Sequence, residues 1–100
     1  ENVEVHQDLT KLDSADVVIT DTWESMGEKV TEKIIEDFSP YTVNEEMMSV
    51  FGDECIFMHC LPANRGQEVT SEVIDGSQSV VWDEAQNRLH IQKEILKWCL

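Results

Sequence analysis

Short apolar runs alternate with helix-spaced apolar positions along the chain. Val17-Val18-Ile19-Thr20 is an unbroken β-branched run, which predicts a strand buried on both faces. After a break at Asp21–Gly27, Val30, Ile34, Ile35 and Phe38 recur at helical spacing, with Pro40 just beyond the stop. Thr42-Val43-Asn44-Glu45 reads as a capping box opening a second helix through Met47, Met48 and Phe51, closed by Gly52. Cys55–Met58 is a second apolar run of strand length, and Thr70–Asp75 predicts a short helix ended by Gly76. Ser79–Trp82 predicts a third strand. Asp83 and Gln86 then open a last helix, with Ala85, Leu89, Leu96 and Cys99 on one side and Ile91, Ile95 and Trp98 widening that apolar face. Upstream, Val3–Val5 reads as a short strand and Asp8–Asp13 as a helical turn.

Strands alternating with helices pair in parallel through right-handed crossovers. The predicted class is α/β, a doubly wound, Rossmann-like parallel sheet with flanking helices, truncated because three or four strands are few for that architecture. Ligands of such sheets bind beyond the carboxyl ends of the strands. Two irregular segments, Asp21–Gly27 and His59–Gly66, follow predicted strands directly and form the candidate site.

Charge narrows the partners. Seven Lys and Arg stand against 21 Asp and Glu, and the resulting formal charge of −14 repels phosphate backbones and anionic membranes. Nucleic acid and membrane are therefore not expected as partners, and the spread of the charges suits a cytoplasmic surface. The apolar share of 41% suffices for a core. Cys55, Cys60 and Cys99 form no C-x-x-C pair, which fits free thiols in a reducing compartment. His6, His59 and His90 show no metal-ligand spacing, no apolar run reaches the ~18 residues of a membrane span, and residues 1–5 do not resemble a signal peptide.

Asp21 follows a buried strand, where a carboxylate can be held to grip an ammonium group, and Ser25 and the backbone near Met26 and Gly27 add hydrogen-bonding groups. Asp21 and Ser25 serve equally well as caps of the next helix. In His59-Cys60-Leu61-Pro62, the proline makes a stiff exit from the strand. Cys60 read alone fits packing better than nucleophilic catalysis, because no base adjoins it in sequence; orienting a substrate amine is a further role. Arg88 lies at the helix end that the dipole disfavours for a cation. Forking onto an anion or carbonyl oxygen would offset that cost, and pairing with Asp83 or Glu84 at the surface is the plainer alternative.

Taken together, DTWESMG, HCLPANRG and DEAQNRLHIQKEIL, in this order and spacing, resemble the C-terminal portion of ornithine carbamoyltransferases. PYTVNEEMM and EVIDGSQSVV resemble the connecting segments of that family. The resemblance implies that residues 1–100 are the C-terminal part of the ornithine-binding domain, with the carbamoyl-phosphate domain absent. It implies an enzyme that transfers the carbamoyl group of carbamoyl phosphate to the side-chain amine of ornithine, giving citrulline and phosphate, as in arginine biosynthesis. Asp21, Ser25 and Met26 would bind ornithine; Cys60, Leu61 and Arg88 would meet carbamoyl phosphate, with Cys60 and Arg88 catalytic. No metal or organic cofactor is implied, and the family's complete enzyme is a homotrimer.

The family's Ser-Thr-Arg-Thr-Arg and His-Pro-Thr-Gln segments are not in this chain, so it is expected to supply only part of the site and to be inactive alone. Asn64 stands where bacterial members often carry His. Two alternatives accompany this reading: a carbamoyltransferase for another amine or amino acid, and a non-catalytic α/β binding module. The Ser25-Met26-Gly27 loop and Cys60 favour ornithine, since aspartate-specific relatives lack both.

Overall fold

The computed structural model describes residues 2–24, 27 and 29–100. Strand β1 (Val17–Thr20) is followed by helices α1 (Glu32–Phe38) and α2 (Glu45–Phe51), strand β2 (Ile56–His59), and helices α3 (Ser71–Ile74) and α4 (Val81–Cys99). Single 3-10 turns occupy Leu9–Lys11 and Ser39–Tyr41. The strands pair in parallel, Val17 opposite Ile56 and Thr20 opposite His59, so both deliver their chains to the same end of the sheet.

Side-chain caps set the helix starts. Thr31, Asn44 and Thr70 each accept a hydrogen bond from the backbone N–H three residues on, which satisfies a donor that the first helical turn leaves open. The cap of α2 is therefore Asn44, and Thr42 plays no part in a capping box. Val43 is taken up in a bridge to Val69, giving its N–H to Glu68 O and accepting from Thr70 N, while the Thr42 hydroxyl donates to Gln67 O at 2.7 Å. Gly52, at φ 85, ends α2 in a backbone region that side chains disfavour.

Val43, Met48, Cys55, Phe57, Val69, Val73, Ile74 and Val81 form the core, with Phe57 of β2 wholly enclosed. Strand β2 is its centre, flanked by α2, α3 and the first turn of α4. The third strand expected over residues 79–82 is reduced to one bridge between Phe57 and Ser79. Val80 N–H still donates to Phe57 O, but the helix begins at Val81, where acidic Asp83 and Glu84 complement the positive end of its dipole.

Two further expectations about burial are corrected. β1 is not buried on both faces: Val17 is 41% and Ile19 68% exposed, because β2 is its sole strand neighbour among the described residues. The apolar strip of α4 exists as the spacing predicts, yet Leu89, Ile91, Ile95, Leu96 and Trp98 are all more than half exposed. A helix of 19 residues runs about 28 Å, far past the edge of a two-stranded sheet, and only Val81 reaches the core. Residues 3–5 form no strand; Val3 and Val5 lie in solvent.

Candidate active site at the strand ends

Because Thr20 and His59 are register partners, the residues after them, Asp21 and Cys60, leave the sheet side by side. The Cys60 thiol donates to Asp21 Oδ1 at 3.0 Å, and the same oxygen accepts the Thr22 N–H at 2.7 Å. The Cys60 hydrogen bond, seconded by the Thr22 N–H, holds the Asp21 carboxyl below its ordinary range. Conversely, the Asp21 carboxylate pushes the Cys60 thiol up, and desolvation adds to that. At neutral pH the pair is thus a carboxylate beside a protonated thiol. Such a pair can accept hydrogen bonds from a cationic group; it does not present a thiolate nucleophile.

Nor does His59 serve Cys60 as a base. Its ring is buried, with Nδ1 accepting the Leu61 N–H at 2.8 Å, so Nε2 carries the proton and donates to Glu68 Oε1 at 3.0 Å. Glu68, also fully buried, accepts the Asn64 N–H through the same oxygen at 2.7 Å. The His59 N–H donates to Glu84 Oε2 in the first turn of α4. Three segments are therefore fastened to the end of β2. Leu61, half-buried against the core, sits at φ 54, an uncommon region for a branched side chain, held there by its bond to the His59 ring.

Arg88 joins the site from α4. Cys60, Glu84, Ala85, Asn87, Arg88 and Ile91 line one open cleft of about 440 Å³, which brings Cys60 and Arg88 to a common space. Glu84 is engaged by His59, and among the described residues Arg88 forms no ion pair, so the surface pairing considered for it is not made. Arg65 is spent on Asp75, at 2.7 Å. Ser25 and Met26 lie outside the described residues. The expected residues that are described (Asp21, Cys60, Leu61 and Arg88) thus all gather at the carboxyl end of the sheet.

Sequence reasoning missed the supporting groups. His59 closes an alternating burial pattern in β2, and Glu68 is an acid directly before fully buried Val69. Its neighbours Arg65, Gln67, Thr70 and Ser71 are polar, so nothing local marks Glu68 as the partner of an inward-facing group.

One consequence concerns the thiol alone. Asp21→Ala removes the main group that raises the Cys60 pKa, so Cys60 should alkylate several-fold faster near pH 8 in that variant. Peptide-resolved mass spectrometry after timed iodoacetamide treatment measures this, with buried Cys55 as an internal control. Equal Cys60 rates would mean that the Asp21 contact does not control the thiol.

Residues 1–99 match the family model for aspartate/ornithine carbamoyltransferase, Asp/Orn binding domain. An ornithine carbamoyltransferase of Rhodopseudomonas palustris is 63% identical over 86 residues, covering 86% of this chain and 28% of that protein. One of Methanobrevibacter smithii is 64% identical, covering 85% of this chain and 29% of the relative. The crystal structure of the Burkholderia thailandensis ornithine carbamoyltransferase superposes with a TM-score of 0.79 at 47% identity, over 95% of this chain and 29% of that one. The two strands and their helices therefore belong to a Rossmann-like α/β fold, and the chain spans under a third of the length of these relatives.

Proposed function

Since this chain belongs to the aspartate/ornithine carbamoyltransferase family through its amino-acid-binding domain, we propose that it is the C-terminal part of the ornithine-binding domain of an ornithine carbamoyltransferase. The complete enzyme, with a carbamoyl-phosphate domain, transfers the carbamoyl group to the side-chain amine of ornithine and releases citrulline and phosphate. In this reading it works in the cytoplasm, in arginine biosynthesis, as a homotrimer. The observation that carries the proposal is the Asp21–Cys60 contact at adjoining strand ends, with Cys60 and Arg88 on a shared cleft.

The amine reaches the site protonated and must shed that proton to solvent before its lone pair attacks the carbonyl carbon. Asp21, with Ser25 and Met26, receives the ornithine. Cys60 keeps its proton and directs it at Asp21, which leaves sulfur lone pairs free to accept weakly from the amine and orient it without fixing the charged form. Cys60 and Leu61 stand where amine and carbamoyl group meet. Arg88, directed at the carbamoyl oxygen, stabilises the negative charge that develops when the new C–N bond forms. The tetrahedral intermediate then collapses by breaking the C–O bond to phosphate, and the departing phosphate takes the remaining proton from the attacking nitrogen. The activated carbamoyl donor supplies the driving force.

The test is made on the complete protein. Ornithine and carbamoyl phosphate should yield citrulline and phosphate in equal amounts, while residues 1–100 alone should yield none. Product from aspartate in place of ornithine, or no carbamoyl transfer by the complete protein, would overturn the assignment.

A further inference from the structure

The loops after β1 and β2 are joined by a second contact besides Cys60–Asp21. Asn64 Nδ2 donates to Thr22 Oγ1 at 3.0 Å, across 42 residues of sequence, with both side chains half-buried. The two contacts differ in strength. A thiol is a weak donor, whereas amide to hydroxyl is an ordinary hydrogen bond. Asn64 is also the better anchored partner. Its N–H is held by buried Glu68 at 2.7 Å, and its carbonyl accepts the Gln67 N–H at 3.1 Å, closing a turn. The side chain therefore projects from a backbone fixed on both sides. At the other end, Thr22 Oγ1 also accepts the Glu24 N–H at 3.3 Å, and the Thr22 N–H is bound to Asp21 Oδ1. A displacement of Thr22 is thereby passed to the carboxylate.

We infer that Asn64 is a positioning residue for the amine substrate: acting through Thr22, it latches the residue 21–24 turn to the second loop and sets the place of Asp21. The inference rests on the ornithine reading above and adds a residue to it. His59 and Glu68 form the buried base of the latch, Asn64 is its arm, and Thr22 the catch.

The experiment is a double-variant cycle in the complete protein with Asn64→Ala, Thr22→Val and their combination. Each single change should raise KM for ornithine about fivefold, the loss of one ordinary hydrogen bond, and leave KM for carbamoyl phosphate unchanged. The combined variant should match the singles, not multiply them, and Thr22→Ser, which keeps the hydroxyl, should behave as wild type. Multiplied effects, or equal rises for both substrates, overturn the inference. A second readout needs no substrate: the pH profile of Cys60 alkylation should move to lower pH in both single variants, because Asp21 is no longer held against the thiol. If the wild type makes no citrulline, the ornithine reading falls and the latch is judged on that profile, where an unmoved curve refutes it.

Discussion

Asp21→Ala should lower kcat/KM for ornithine about a hundredfold in the complete enzyme, roughly the worth of a hydrogen bond to a charged group. Asp21 is solvent-exposed and outside the core, so its removal should leave the fold intact and separate binding from stability. Asp21→Asn keeps the shape without the charge and should be nearly as impaired. The pH dependence follows from the sign of the shift. The folded-state pKa of Asp21 lies below its ordinary 3.8, so the carboxylate's contribution is complete above that value and is lost only as pH falls through the lower folded value. Loss of ornithine binding at pH 5–6 would therefore have to come from another group. Steady-state kinetics across pH 5–9 would settle the point; an Asp21→Ala enzyme with unchanged kcat/KM would remove Asp21 from the site.

The largest loss of stability should come from a residue that touches no substrate. Glu68→Ala strands two donors, the buried His59 Nε2–H and the part-buried Asn64 N–H. Each orphaned donor costs about 1–3 kcal/mol, so a loss of about 4 kcal/mol is expected. Glu68→Gln is a finer probe, since Oε1 carries both contacts while buried Oε2 has no partner among the described residues. An amide can keep the acceptor and should cost about 1 kcal/mol. By contrast, the Arg65–Asp75 pair lies about half in solvent and contributes at most about 1 kcal/mol. Urea midpoints of the three proteins would rank them, and a Glu68→Ala variant as stable as wild type would mean that the buried network is not a structural anchor.

What could be read from sequence was what depends on neighbours within a few residues. The bounds of β1, the start of α3 after Thr70 and the stop of α2 at Gly52 all follow from local composition and caps. β2 came one residue late, since polar His59 ends an apolar run yet points inward to Glu68. Burial was less legible. The apolar patterns of β1 and α4 state which side seeks cover, but no local pattern states whether a neighbour supplies it, and Ile19 and the α4 strip stay exposed. The strand-end rule brought Asp21 and Cys60 together correctly, whereas Arg88 needed the family resemblance. The roles of Glu68, Glu84 and Asn64 arise from contacts spanning 4 to 42 residues and leave almost no local trace.

The bond from the His59 N–H to Glu84 has a geometric consequence for Arg88. It clocks α4 against the end of β2, because one carboxylate in the first turn is tied to a fixed point on the sheet. Four residues further on, an α-helix has turned about 400° and risen about 6 Å, which returns Arg88 to nearly the same azimuth one storey higher. The height of the guanidinium above the strand end is thus a count of residues, and its bearing is a phase. One alanine inserted between Glu84 and Arg88 would swing the guanidinium about 100° around the helix, out of the cleft it shares with Cys60, though every original side chain were still present.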